Sequence, residues 1–312
     1  MGRRMGSAAV VLALCTAPWL LSSWGLAQLS FVAIYVIAGS GLMLLAGYAG
    51  QLSLCHAAFL GIGAYAEALL QAQGWPLEIS LPLAATVATV AGVAAAWPAR
   101  RLAGIYLAIA TLSFGFIVQE VLARWEAVTG GNAGLVVTPA RSLLAGPLGD
   151  AGLYGLAWAL ALAALWLLGR LLASSTGRAW VALREDATAA AILGVAPAGA
   201  KTLAFAVAAA LAGLAGALYA HQLRFVSPEQ FDWVMSIEFL MMLTIGGLGT
   251  RAGIVLGAVF LIALPQAIGL LRDALPLAMP PAGLELFAFG LALVLSLRFA
   301  PEGLAGALRQ RL

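Results

Sequence analysis

The 312 residues are 63% hydrophobic and only 9% charged, where an ordinary soluble domain carries about a quarter charged residues, so water is not the main solvent of this chain. Its net charge of +3 sits on basic residues that punctuate apolar runs, which excludes a clustered nucleic-acid face and points to basic groups that fix topology. The runs are built of Ala, Leu, Val and Gly without period-2 alternation, so they read as membrane helices rather than barrel strands.

From Met5 to Ala66 there is no Asp, Glu, Lys or Arg, a stretch of 62 residues with room for two or three crossings of about 20 residues each. Its start has a basic end, an apolar core and a Gly25-Leu26-Ala27 triplet, the format of a cleaved secretory signal. A retained signal-anchor helix is the expectation, because another apolar segment follows at once. Further uncharged runs cover Ile79 to Ala99, Leu102 to Gln119, Ala151 to Gly169, Thr202 to Leu223 and Ala252 to Leu271. The pattern predicts an all-α polytopic bundle of about ten spans, at roughly 7–24, 28–47, 53–72, 80–98, 103–123, 152–172, 202–222, 235–249, 253–272 and 283–299. The third and eighth are the weakest, one holding Glu67 and the other short and Gly-terminated. With both termini in the cytoplasm, 12 of the 16 basic residues fall inside and only Arg124, Arg141, Arg224 and Arg272 outside, as the positive-inside rule requires. The chain is expected to be one permease-like domain over 1–312.

Two connections exceed a turn. The outer loop, 124–151, contains "TGGNAGL" and reads as an ordered surface loop. The inner loop, 174–200, carries Arg178, Arg184, Glu185, Asp186 and Lys201 on or beside it. Its centre, "GRAWVALREDATAAAILGV", predicts one short cytoplasmic helix that stops at Gly194, with Pro197 beyond. Trp180, Leu183, Ile192 and Leu193 would form its apolar face and Arg184, Glu185 and Asp186 its charged edges. Such a helix can dock on a partner, or be a solvated loop whose charges only enforce topology. The "LMLLAGYAG" stretch at Leu42 to Gly50 resembles "LMMLTIGGLG" at Leu240 to Gly249, a candidate parallel internal repeat.

The polar residues suited to meet a solute are Gln51, Ser53 and His56, beside the Gly47 and Gly50 break. Backbone released from helical bonding is tolerated at membrane depth only against protein or a water-filled path. Gly246, Gly247 and Gly249 form a second break, and the path is expected beside the two. The plain alternative makes Ser53 a helix cap, His56 a packing residue and the glycines packing devices. Glu67, Glu120 and Glu238 fall near the outer ends of their spans, where headgroup depth accounts for them. Cys15 and Cys55 read as packing residues, and His56 and His221 have no carboxylate or Cys cluster nearby in sequence, so no metal site is expected. "GVAPAGAKT" at Gly194 to Thr202 comes within one residue of the phosphate-binding loop pattern, but Ala200 puts Lys201 out of register. No catalytic set is visible, so the chain is expected not to be an enzyme.

Four segments in this order, "GYAGQLSLCHAAFLGIGAY" (Gly47 to Tyr65), "TGGNAGL", "GRAWVALREDATAAAILGV" and "SPEQFDWVMSIEFLMMLTIGGLGTRAGIVLGA" (Ser227 to Ala258), resemble LivM-type permeases of ABC importers for branched-chain amino acids. Cys55 stands where that pattern more often has Gly. The resemblance implies a bacterial inner-membrane subunit beside a second, LivH-type permease, two cytoplasmic ATPases that bind ATP and Mg, and an extracytoplasmic amino-acid-binding protein. It also implies that the inner loop is the ATPase coupling element, with Arg178, Arg184, Glu185, Asp186 and Gly194 as its functional residues. Leu, Ile or Val would be the solute, with urea, a short amide or an aromatic acid as alternatives inside the family. An ion-coupled secondary transporter is the alternative class.

Overall fold

A computed structural model describes residues 14, 16–143, 146–274, 281–300 and 302–311. Most of the expected first span lies outside them. Residues 16–20 are helical, the chain breaks at Leu21, and Ser22 then accepts from Gly25 N to start helix α1, Ser23–Leu42. The first break therefore falls a few residues before the expected one. Helix α1 continues as a π-helical segment, Met43–Tyr48.

The helices that follow are α2 (His56–Ala72), α3 (Leu77–Ala99), α4 (Gly104–Arg124), α5 (Asp150–Ala173), α6 (Ser175–Glu185), α7 (Ala187–Ile192), α8 (Pro197–Leu223), α9 (Trp233–Gly246), α10 (Arg251–Ala274), α11 (Pro281–Phe299) and α12 (Gly303–Arg311). Among the described residues, seven helices are long and apolar enough to cross a membrane. The two weakest expected spans, α2 and α9, are the short ones, at 17 and 14 residues. They are wedged among the long helices.

Helix α8 is the axis of the bundle, packed against α1, α2 and α3. Its small residues explain why. Without a hydrophobic drive between helices in lipid, association depends on close backbone approach, which Gly and Ala permit. A Cβ on Gly216 would collide with the Leu60 carbonyl of α2, and one on Gly63 with the backbone of Gly213. Gly92 of α3 meets Ala209 in the same way.

The outer loop is ordered, as its sequence suggests. One helical turn, Glu126–Thr129, leads to strand β1 (Leu135–Val136), while β2 (Arg141–Ser142) and β3 (Gly146–Pro147) form a small hairpin. Strand β4 (Phe225–Val226), directly after α8, pairs antiparallel with β1. Gly134 makes this possible, since its φ of 70° and its contact with the Val226 carbonyl leave no space for a side chain. Beyond β4, Ser227 and Gln230 form a reciprocal capping box and Asp232 caps α9 through Met235 N. The "SPEQFDW" segment is thus a double helix-start signal.

The inner loop departs from the expected single helix. Asp186 is extended (φ −153°, ψ 110°) and its carboxylate accepts from Thr188 N and Ala189 N, so it ends α6 and caps α7. Gly194 closes the segment at φ +89°, as expected, while Pro197, read from the sequence as a stop signal, opens α8 five residues before the expected start of that span.

Candidate functional site

The first glycine break is built on the π-helical turn. Its wider hydrogen bonding carries the chain to Gly50 at φ +64°, after which residues 51–55 run without helix into α2. The starting N–H groups of α2 would be orphans at membrane depth. No side chain caps α2 locally, and side chains of other helices serve Ala57 N and, just before the helix, Leu54 N. Leu54 N donates to Thr111 Oγ1 of α4, and Ala57 N to Ser236 Oγ of α9. Ser53 is not the cap: it is fully buried, with its hydroxyl 3.3 Å from Cys55 Sγ.

His56 is also fully buried, its Nε2 2.8 Å from the Ala38 carbonyl of α1 and its ring edge-on to Phe239 of α9. Gln51 is 2% exposed, and among the described residues neither atom of its amide has a partner, nor does His56 Nδ1. Gln51 and His56 therefore keep hydrogen-bonding capacity beside the break. Cys55 is buried in the main core and packs as its apolar setting suggested.

The second break lies against the first. Tyr48 OH donates to the Gly249 carbonyl at 2.6 Å, and Gly249 N points at Met43 Sδ at 3.0 Å. Gly247 and Gly249 take φ of +116° and +86°. Gly246 has a different duty, because a Cβ there would overlap the Gly253 carbonyl of α10. It is the contact point of α9 and α10. The two stretches of the suspected repeat thus finish at one place in the bundle.

The inner loop reaches that same place. One Arg184 guanidinium nitrogen donates to the Gly47 carbonyl, and the side chain lies over Gly50, where a Cβ would be 2.8 Å from Arg184 Cγ. Trp180, one turn back, is fully buried and its indole N–H donates to the Ala200 carbonyl. The expected shared apolar face does not form. Trp180 and Leu183 turn into the bundle, whereas Ile192 and Leu193, on and just after α7, are each 82% exposed. The break at Asp186 separates the two pairs. Arg178 bonds back to the Ala173 carbonyl, and Glu185 and Asp186 are exposed. Lys201, of the near-match to a phosphate loop, donates to the Leu102 carbonyl.

At the opposite end of the bundle, Glu67 faces other helices rather than the surface. It is fully buried, and its Oε1 accepts from Gln71 Nε2 and Ser80 Oγ and lies 2.8 Å from His221 Nε2. The fold gives His221 a carboxylate partner 154 positions away, which its sequence neighbourhood did not show. His221 also lines an open cavity of about 290 Å³ with Asp150 and Arg224, an exposed ion pair. Glu120 is exposed near the end of α4 and paired with Arg124. Glu238 is half-buried on α9.

Sequence reasoning missed Arg184 as a contact of the glycine break, Tyr48, Thr111, Ser236 and the Glu67–His221 pair. A sequence signal existed for Glu67 alone, as a carboxylate inside an apolar run. The others declare themselves only through contacts between distant helices.

Residues 26–297 match the family model described as branched-chain amino acid transport system / permease component. The chain is 34% identical, over 95% of its length and 73% of the relative's, to the high-affinity branched-chain amino acid transport system permease protein LivM of Salmonella typhimurium. It is 33% identical, with the same coverage, to the protein of that description from Escherichia coli. No solved structure matches.

Proposed function

Because the chain belongs to the family of permease components of branched-chain amino acid transport systems, we propose that it is the translocating subunit of an ATP-driven importer of Leu, Ile and Val. It works beside a LivH-type second permease. Two cytoplasmic ATPases holding ATP and Mg drive it, and an extracytoplasmic amino-acid-binding protein delivers the solute. The observation that carries this reading is identity of about a third along nearly the whole chain to two permeases named for that transport.

The proposed topology has both termini and the 174–200 loop in the cytoplasm of a bacterial inner membrane. In its favour, Arg184 and Lys201 bond at the end of the bundle that also holds Arg100, hydrogen-bonded to Thr202. Glu78, Asp150 and the strands of the 124–151 loop gather at the other end.

In this reading, α6 and α7 form the coupling element. Glu185, Asp186, Ile192 and Leu193 are its exposed docking surface, Arg178 and Arg184 hold it to the bundle, and Gly194 ends it. The solute path runs beside Gly47, Gly50, Gln51, Ser53, His56, Gly246, Gly247 and Gly249. The unpartnered Gln51 amide and His56 Nδ1 are its most suitable polar contacts.

The test is uptake of labelled leucine by the complete complex in liposomes. Uptake that requires internal ATP and the binding protein, and persists when the proton gradient is collapsed, is the expected result. Uptake driven by a proton gradient without ATP would instead assign the buried Glu67–His221 pair to an ion-coupled carrier. Competition by urea, a short amide or an aromatic acid in place of leucine would change the solute and leave the architecture standing.

A further inference from the structure

Three segments far apart in sequence converge at the glycine breaks, and the bonds that join them form an ordered series. Helix α6 is anchored to the bundle, since Trp180 is fully buried with its N–H satisfied by Ala200. One turn further along the same face, Arg184 donates to the Gly47 carbonyl. That carbonyl belongs to the last turn of a π-helical segment, where hydrogen bonds are poorer than in an α-helix and end-turn acceptors lack helical donors. The next residue, Tyr48, is a stiff arm with two side-chain torsions, and its hydroxyl holds the Gly249 carbonyl at 2.6 Å. At Gly247 the same break packs closely on the start of α12, because a Cβ on Gly303 would strike Gly247 Cα.

We propose that Arg184 and Tyr48 are positioning residues forming a strut that passes displacement of α6 to both glycine breaks together. The proposal rests on the coupling reading of the 174–200 loop and adds to it the route by which motion enters the bundle. The physical reason is a contrast in stiffness. A pull by Arg184 acts on a π-helical turn that runs out at Gly50, a glycine at positive φ, rather than on a closed α-helix. Tyr48 then obliges the second break to follow the first. The Arg184 link is the stronger one, since a charged donor makes a bond about twice as strong as a neutral one.

The test uses the complete importer in liposomes with ATP inside. Solute carried per ATP hydrolysed is measured for wild type, Arg184→Gln, Arg184→Lys and Tyr48→Phe. Spin labels at Ala187 of α7 and Val259 of α10 report their separation without nucleotide and in a trapped ATP state. Both positions are exposed. Loss of the neutral bond in Tyr48→Phe should lower solute per ATP about fivefold, and loss of the charge-assisted bond in Arg184→Gln, about twice as strong, about twenty-five-fold. Arg184→Lys, which keeps a cationic donor, should recover part of the loss. In both coupling-deficient variants, the nucleotide-dependent change at Val259 relative to Ala187 should differ from that of wild type.

If ATP hydrolysis and uptake fall in the same ratio, leaving solute per ATP and the label shift as in wild type, the two residues are staples and the strut is overturned. Failure of the wild-type complex to couple ATP to uptake, or to cross-link from Ala187→Cys to an ATPase subunit, overturns the coupling reading itself. The strut falls with it. Variants that stay fully coupled while that cross-link forms overturn the strut alone.

Discussion

Glu67 Oε1 gathers the side chains of Gln71, Ser80 and His221, which brings α2, α3 and α8 together at one buried atom. Its worth is bounded by the alternatives open to those groups. Interhelical hydrogen bonds in membranes average about 0.6 kcal/mol and reach about 1.7, because separated helices also find polar partners. Convergence of several partners on one acceptor places this network toward the upper end. Glu67→Leu and His221→Leu should each lower thermal stability in detergent, and their double-mutant cycle should show a coupling of about 1 kcal/mol. Strict additivity would mean that the pair contributes nothing as a pair. The glycines offer a second check at this scale. A side chain at Gly246 overlaps the Gly253 carbonyl, and one at Gly50 meets both positive φ and Arg184. Gly246→Leu should therefore reduce the melting temperature and uptake together, whereas Gly249→Ala, where an added Cβ would meet open space but φ is +86°, should cost only about 1–2 kcal/mol of backbone strain. The two are separated by melting curves of the detergent-solubilised variants. A sequence pattern marks all these glycines alike, and only the packed structure divides them into contact points and turns.

Among the elements, α6 and α7 show how one residue changes the meaning of a segment. Composition marks 177–195 as helical, and the stop at Gly194 is legible because Gly tolerates φ > 0 and Pro197 follows. The break at Asp186 was not legible, since Glu-Asp inside a run of helix formers reads as a charged face. Once Asp186 caps α7, the inward residues Trp180 and Leu183 belong to one helix and the outward pair Ile192 and Leu193 to the next segment. The charge reversals then cease to be equivalent. Asp186→Lys removes a cap worth about 1 kcal/mol as well as a surface charge, while Asp186→Asn keeps the cap. Glu185→Lys alters charge alone. In the assembled complex, Glu185→Lys and the pair Ile192→Ser with Leu193→Ser should lower solute-stimulated ATPase activity severalfold with unchanged membrane insertion. Undiminished stimulation in both would remove the docking role from this surface.

For the whole molecule, the order of the long apolar helices was legible from charge-free runs, and the ends of α3, α4, α5, α8, α10 and α11 lie within about five residues of the expected ones. The arrangement of those spans was not. Nothing in composition makes α8 the axis; that follows from Gly213 and Gly216 meeting α3 and α2. The two-sided distribution of polar contacts gives the orientation a direct test by single-cysteine labelling after replacement of Cys15 and Cys55. The probes must be chosen from the fold, because Gly131 is buried with φ of +59°, and a side chain there would crowd Glu126. Asn132 next to it and Glu229 beyond β4 are exposed. Cysteines at Asn132 and Glu229 should react with an impermeant maleimide added outside intact cells. Those at Ala187 and Leu304, both exposed and both at the end where Arg184 and the start of α12 meet the glycine breaks, should react only after the membrane is opened. Labelling of Ala187 from outside would place the 174–200 loop away from any cytoplasmic ATPase. Labelling of Leu304 alone from outside would require an odd number of crossings between α7 and α12, and would refute the inward C-terminus while leaving the inner loop in place.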